Sequence, residues 1–104
     1  MPDQLTASLF EGHLNETFVV RVDLIDPAYP VLDLTLVSVS ELGQPPAEDK
    51  DRRRPFALLF RGPGQPVLAQ RTFQLDNDRL GALALFLVPV GPDGASMQYE
   101  AVFA

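Results

Sequence analysis

Two stretches of this chain decide its fold: residues 56–60, which read FALLF, and residues 83–90, which read LALFLVPV. Both have the length of a β-strand and are apolar at successive positions. Each is followed by a Gly-Pro pair, Gly62-Pro63 and Gly91-Pro92. A strand that is apolar at successive positions needs cover on both of its faces. The two stretches therefore predict a compact β-domain. One face of each strand would fill the core, and the apolar side chains on its other face would need to be covered by another part of the chain or by a partner.

The rest of the chain is divided into short segments by ten prolines and seven glycines. Short segments bounded by turn residues are typical of all-β domains. Period-two alternation predicts further strands at 18–24, 31–40, around 73–75 and at 97–103. The predicted inward residues are Phe18, Val20, Val22, Leu24, Leu32, Leu34, Leu36, Phe56, Leu58, Phe60, Phe73, Leu75, Leu85, Leu87, Met97, Tyr99, Ala101 and Phe103.

The alternation changes phase after Leu36, where the apolar positions move to Val37 and Val39. A one-residue change of phase predicts a β-bulge, which lets a sheet curl. We therefore expect an all-β fold of about six strands in a mostly up-and-down order. It would be either a small antiparallel barrel or a two-layer sandwich.

The one predicted helix lies near the N-terminus. Thr6 is a suitable N-cap, and Leu9, Phe10, His13 and Leu14 share one face at helical spacing. The helix would run for about two turns before Asn15-Glu16 turns the chain. A helix this short needs packing against the sheet, and it could cap an open end or cover an outer face.

The length of 104 residues predicts a single domain, 1–104. Residues 43–54 are polar, charged and rich in proline, and they predict a flexible loop. The loop ends on Arg52-Arg53-Arg54, which follows acidic residues and is interpreted as solvated, with a contact to an acidic partner as the alternative.

Asp76-Asn77-Asp78 predicts a turn rather than a calcium loop, because it lacks the glycine and the distant glutamate of such loops.

Composition argues against several classes of function. The net charge of −6 disfavours binding to nucleic acid. The absence of cysteine excludes disulfides and thiolate metal sites. No apolar run approaches the roughly 20 residues of a membrane span, and residues 1–4 lack the pattern of a signal peptide. We expect no membrane association, no cofactor and a cytoplasmic protein, or one that joins an exported assembly.

The inventory for catalysis is small. His13 is the only histidine, and its place on an apolar helical face favours a packed or surface role. Asp23, Asp26 and Asp33 could suggest paired carboxylates, but their strand positions put them opposite the apolar face. No nucleophile elbow, phosphate loop or dinucleotide fingerprint is present. We therefore expect no catalytic, metal or cofactor-binding residues and a protein that is not an enzyme.

The second apolar face is the candidate functional surface. Phe86 and Val88 lie opposite the set that fills the core, and Leu59 does so on its own strand. The short helix could cover them, or they could form a protein interface by self-association or with a protein partner. We predict Leu59, Phe86 and Val88 as interface residues.

Four strings in the sequence resemble a known family: FEGHLNETF at 10–18, RPFALLFRGP at 54–63, LFLVPVG at 85–91 and YEAVF at 99–103. The chain is similar to a small bacterial domain family of unknown function, domain of unknown function 6916. The resemblance implies an all-β domain and an association with phage-tail-like proteins of the collar type. It implies no catalytic residues.

The leading hypothesis is a non-catalytic domain for protein binding or assembly, as an accessory component of a phage-tail-like or surface structure. The alternative is a small-molecule-binding β-barrel, and a hydrolase comes third. A ligand barrel should contain an internal cavity of roughly 300 Å³ or more lined by the inward set. An assembly domain should have a filled core and an apolar patch on its outside.

Overall fold

The alternating segments form strands in the computed structural model, which describes residues 6–22, 31–41, 55–64 and 67–103. The described residues form one helix and six strands: α1 (Ala7–Glu11), β1 (Thr17–Arg21), β2 (Val31–Glu41), β3 (Phe56–Pro63), β4 (Arg71–Asn77), β5 (Gly81–Asp93) and β6 (Ser96–Phe103). The predicted loop at 43–54 lies outside the described residues, as do Leu24, Asp23 and Asp26. The fold is all-β, as the sequence predicts.

The six strands form a closed antiparallel barrel in the order β1-β2-β3-β6-β5-β4. The barrel, rather than the sandwich, is therefore the architecture. Two three-stranded meanders, β1-β2-β3 and β4-β5-β6, are joined where β3 pairs with β6 and β4 pairs with β1. The expected up-and-down order holds within each meander but not between β3 and β4, because β4 returns beside β1 as in a Greek key.

The inward faces form one core, as the alternation predicts. Phe18 and Phe60 meet edge to face with ring centroids 5.3 Å apart, and both are fully buried. Leu32, Met97 and Phe103 pack against this core while remaining partly exposed. The buried inward residues are Phe18, Val20, Val22, Leu34, Leu36, Phe56, Leu58, Phe60, Phe73, Leu75, Leu85, Leu87, Tyr99 and Ala101.

Two irregularities bend the sheet. The β2–β3 register shifts between Leu36 and Ser38, which confirms the predicted bulge. A second shift lies between Pro89 and Gly91 in the β5–β6 pair, and Gly91 has a positive φ of 124° there.

Both Gly-Pro pairs lie inside strands, because β3 and β5 continue alongside β6. The chain turns later, between Asp93 and Ser96, where Gly94 has a φ of 62° as tight hairpins require.

Helix α1 closes one end of the barrel. The Thr6 hydroxyl accepts a hydrogen bond from the Leu9 amide at 3.2 Å, which confirms the predicted N-cap. Phe10 is fully buried, with its ring 6.0 Å from that of Phe56 and 5.7 Å from that of Phe103. The helix has 5 residues rather than two full turns, because the chain turns at Gly12 and runs directly into β1.

At the opposite end of the barrel, residues 67–70 before β4 cover the core through Leu68. Leu68 is buried, and its amide donates a hydrogen bond to the Tyr99 hydroxyl at 2.8 Å. Gly62 lies on the inner face nearby, where the Leu34 side chain occupies the space that an added side chain would need. Both ends are thus covered by segments of the chain itself. No helix in the described part of the chain is long and apolar enough to cross a membrane.

Candidate functional site

The candidate interface lies on the outside of three adjacent strands, which we call the β3–β6–β5 face. In register, Leu59 of β3 pairs with Glu100 of β6, and Glu100 pairs on its other side with Val88 of β5. Because side chains alternate along a strand, Phe86 and Val102 project from the same face as Val88 and Glu100. The β5–β6 register ends at Val88 and Glu100, and Phe86 and Val102 each lie two residues beyond that pair on their own strand. The β3–β6–β5 face is defined by these five residues.

The three sequence-predicted interface residues therefore lie on one surface. Phe86 is 49% exposed, and Leu59 and Val88 are partly exposed. Val102, which the sequence analysis missed, is 56% exposed. It lies opposite the inward set of the last strand, so the alternation that identified Tyr99 and Ala101 could also have identified Val102.

Helix α1 does not cover this face. Its one fully buried side chain, Phe10, points into the end of the barrel, and Leu14 after the helix is 39% exposed. The interpretation that the helix shields Phe86 is therefore wrong. The helix plugs the barrel end because the ring of Phe10 completes a cluster with Phe56 and Phe103, whose rings stack at 4.5 Å.

One charged residue lies among these apolar side chains. Glu100 has Leu59 and Val88 beside it on the neighbouring strands and Val102 two positions further along its own strand. The Glu100 side chain is partly exposed. The one basic residue within β3, β5 and β6 is Arg61, which pairs in register with Gln98.

A groove lies at the barrel end opposite α1, between the β3–β4 connection and the β5–β6 hairpin. Its volume is about 610 Å³, and it is broadly open to solvent. Its lining residues are Gly64, Val67, Pro92, Gly94, Ala95, Ser96 and Met97. This lining is not the inward Leu and Phe set that a ligand-binding barrel interior would present.

A polar network joins the turn after α1 to the end of β4. Glu16 Oε1 lies 2.9 Å from His13 Nδ1 and accepts a bond from Asn77 Nδ2 at 3.2 Å. Glu16 Oε2 accepts from Arg79 Nη1 at 2.7 Å. The hydrogen bond from His13 is the main cause that holds the pKa of Glu16 below its ordinary value. The bonds from Asn77 and Arg79 add to this against the opposing effect of partial burial.

Asn77 makes the network continuous with the barrel. Its amide nitrogen also donates to the Thr17 carbonyl at 3.0 Å, and its Oδ1 accepts from the amides of Arg79 and Leu80. Every polar atom of the side chain is therefore used in holding β1, β4 and the following turn together. This assigns a structural role to the network.

The other sequence candidates fall in separate places. His13 is 6% exposed and bonded to Glu16, in agreement with a packed histidine. Asp33 is exposed on β2. The predicted turn at 76–78 is wrong in its start, since Asp76 and Asn77 belong to β4 and the turn begins at Asp78. Arg52-Arg53-Arg54 lie outside the described residues.

The fold and the β3–β6–β5 face together define a small closed β-barrel with plugged ends and an exposed apolar strip. A family model described as Domain of unknown function (DUF6916) matches residues 5–103, and the chain belongs to this family. No curated protein and no solved structure matches the chain.

Proposed function

We propose that the chain is a non-catalytic domain that binds another protein chain through the β3–β6–β5 face. The observation that carries this proposal is the exposure of two apolar side chains, Phe86 and Val102, on neighbouring strands that also carry Val88 and Glu100. Complete burial of one large apolar side chain contributes roughly 1.5–3 kcal/mol. Phe86 and Val102 are each about half exposed, so the face retains a substantial part of that free energy for association.

The interface would extend beyond these residues. A stable protein interface buries roughly 800 Å² on each partner, and a few aromatic and aliphatic side chains at its centre usually supply most of the binding free energy. Phe86 is suited to the central position, because aromatic residues are enriched there. The surrounding polar positions of β3, β5 and β6 would form the rim.

The resemblance to domains associated with collar-type phage-tail-like proteins supports placing this contact in a multi-protein assembly. The domain would then be an accessory component of a tail-like or surface structure. The plugged barrel ends and the buried aromatic core favour this role over ligand binding in the barrel interior.

Site-specific photo-crosslinking tests the proposal. A benzophenone amino acid is placed at position 86 or, as the control, at Asp33, an exposed position on β2 away from this face. Irradiation of producing cells should give a covalent adduct with a protein chain from position 86 and little from position 33. Absence of an adduct at position 86, or equal yields at both positions, would contradict the proposal.

A further inference from the structure

We infer that the partner is a different chain, one that presents a lysine or arginine surrounded by apolar side chains, and that Glu100 is the residue that selects it. This inference rests on the proposed function of the β3–β6–β5 face. It follows from the position of Glu100, which is flanked in register by Leu59 and Val88 and lies on the face that carries Phe86 and Val102.

Covering Glu100 costs free energy. A partner that buries Phe86 and Val102 also removes water from the neighbouring Glu100 carboxylate, which lies between Leu59 and Val88. Burial of a charge without a compensating partner is costly, and removal of one partner from a buried ion pair costs more than an exposed pair contributes. A binding surface that covers Glu100 must therefore bring its own cation or hydrogen-bond donors.

The face holds one basic residue of its own strands, and it is not bonded to Glu100. Within β3, β5 and β6 this residue is Arg61, which pairs in register with Gln98 and lies diagonally from Glu100 on the same outer face. Among the described residues no ion pair joins Arg61 to Glu100. Arg79, which follows β4, is paired with Glu16. Glu100 thus remains available to a cation from outside.

A symmetric pair of identical chains is less favourable than a basic partner. In a two-fold dimer each subunit contributes the same patch, so residues near the two-fold axis approach their own copies. A dimer with its axis near Leu59 and Val88 would bring two Glu100 carboxylates together. Each chain also carries a net charge of −6, and like charges placed together across an interface are unfavourable. Glu100 therefore favours a basic, apolar partner and opposes self-pairing.

A display library of random 12-residue peptides tests the selection. The library is panned in parallel on the immobilised wild-type chain, Glu100→Lys, Glu100→Gln and Phe86→Glu, with Arg61→Gln as the control for the chain's own arginine. Wild type and Arg61→Gln should enrich peptides with a lysine or arginine between apolar residues. Glu100→Lys should enrich aspartate or glutamate at that place, and Glu100→Gln should bind the wild-type peptides at least tenfold more weakly.

The outcomes separate this inference from the proposed function. Peptides that require Phe86 but show the same charge preference on wild type and Glu100→Lys would overturn the role of Glu100 and leave the protein-binding face standing. Peptides indifferent to Phe86→Glu, or a panning that enriches none, would count against both.

The oligomeric state gives a second, independent test. Light scattering after size exclusion should find the wild-type chain monomeric. Glu100→Leu, which makes the strip continuously apolar, should form dimers or larger species, whereas the matched variant Gln98→Leu on the same strand should not. Circular dichroism verifies that both variants are folded. A wild-type dimer that Phe86→Glu dissociates would overturn the inference while supporting an interface at this face.

Discussion

Gly62 shows how one small residue shapes the interior of the barrel. It lies on the inner face of β3, where a Cβ would contact the Leu34 side chain and approach Tyr99 Cε2 at 3.8 Å. Leu34 is fully buried, so its side chain can move only into other core residues. The hydroxyl of the neighbouring Tyr99 accepts the hydrogen bond from the Leu68 amide at the barrel end.

Substitution Gly62→Ala is therefore expected to lower the free energy of unfolding by about 1–3 kcal/mol, as overpacking of a filled core does. The matched control is Gly12→Ala, where φ is −73° and an added Cβ would lie 3.6 Å from its nearest neighbour, the Leu9 carbonyl oxygen. Urea denaturation compares the two variants. A Gly62→Ala denaturation midpoint equal to that of Gly12→Ala would show that the side chains around Leu34 rearrange to accommodate the added Cβ.

Glu16 connects stability to pH. Its pKa is lowered in the folded chain, chiefly by the hydrogen bond from His13. A lowered pKa means that the carboxylate stabilises the fold above the ordinary glutamate pKa of about 4.3, and that this contribution is lost as the pH falls through the lowered value. Glu16→Gln should therefore be less stable than wild type at neutral pH.

The difference between Glu16→Gln and wild type should narrow as the pH falls below about 4, toward and past the lowered pKa of Glu16. Glu11→Gln, at an exposed position in α1, serves as the control. Chemical denaturation across the acid range gives the measurement. If the free energies of unfolding of Glu16→Gln and wild type differ by the same amount down to the lowest pH measured, the charge of Glu16 does not stabilise the fold through this network.

At the residue level, the sequence identifies the inward set well and identifies polar partners poorly. Alternation places Phe60, Leu85 and Tyr99 inward because each strand has one buried face. Asn77 escapes detection because its buried role depends on Glu16 and Thr17, which are about 60 positions away in the chain. Its neighbours Asp76 and Asp78 have the composition of a turn, and composition carries no information on such distant partners.

Helix α1 acts as the plug of one barrel end, and its contribution to stability resides in a single ring. Phe10 is fully buried against Phe56 and Phe103, whereas Leu14, also in the N-terminal segment, is 39% exposed. Phe10→Ala is expected to cost about 3–5 kcal/mol, because it removes buried area and leaves a cavity. Leu14→Ala should change the free energy of unfolding by less than about 1 kcal/mol, in the range of partly exposed positions.

Thermal and urea unfolding of the two variants measure this difference. Similar losses in Phe10→Ala and Leu14→Ala would mean that the segment is held by something other than the aromatic cluster. The existence of the helix and its cap at Thr6 were predictable from local signals. Its position was not, because an apolar stripe indicates that a helix is covered without indicating what covers it.

At the scale of the whole barrel, the order of the strands is the property that the sequence does not predict. Alternation specifies which side of each strand faces inward, and this holds equally for the up-and-down order and for the observed β1-β2-β3-β6-β5-β4 order. The bulge at Leu36–Ser38 was visible because it changes the phase of the pattern. The pairing of β4 with β1 produces no such change in the pattern. Each of these strands could bury its inward apolar residues equally well beside any other strand of the barrel.

This closure predicts where the barrel opens first. Within the described strands, two residue pairs set the β1–β4 register, Val19 with Asp76 and Val20 with Leu75, against eight pairs between β3 and β6. Local openings follow the parts of a fold with the fewest paired backbone groups. The β1–β4 seam should therefore open at a lower free energy than the β3–β6 pair.

Native-state hydrogen exchange in low denaturant resolves the two openings. The amides of Val20 and Leu75 should exchange through a partial opening, while those of Leu58 and Tyr99 exchange only on global unfolding. Phe10→Ala provides the control, because it weakens the end plug and should lower the global free energy while the seam still opens first. Exchange of all four amides at one common free energy would show that the barrel opens as a single unit.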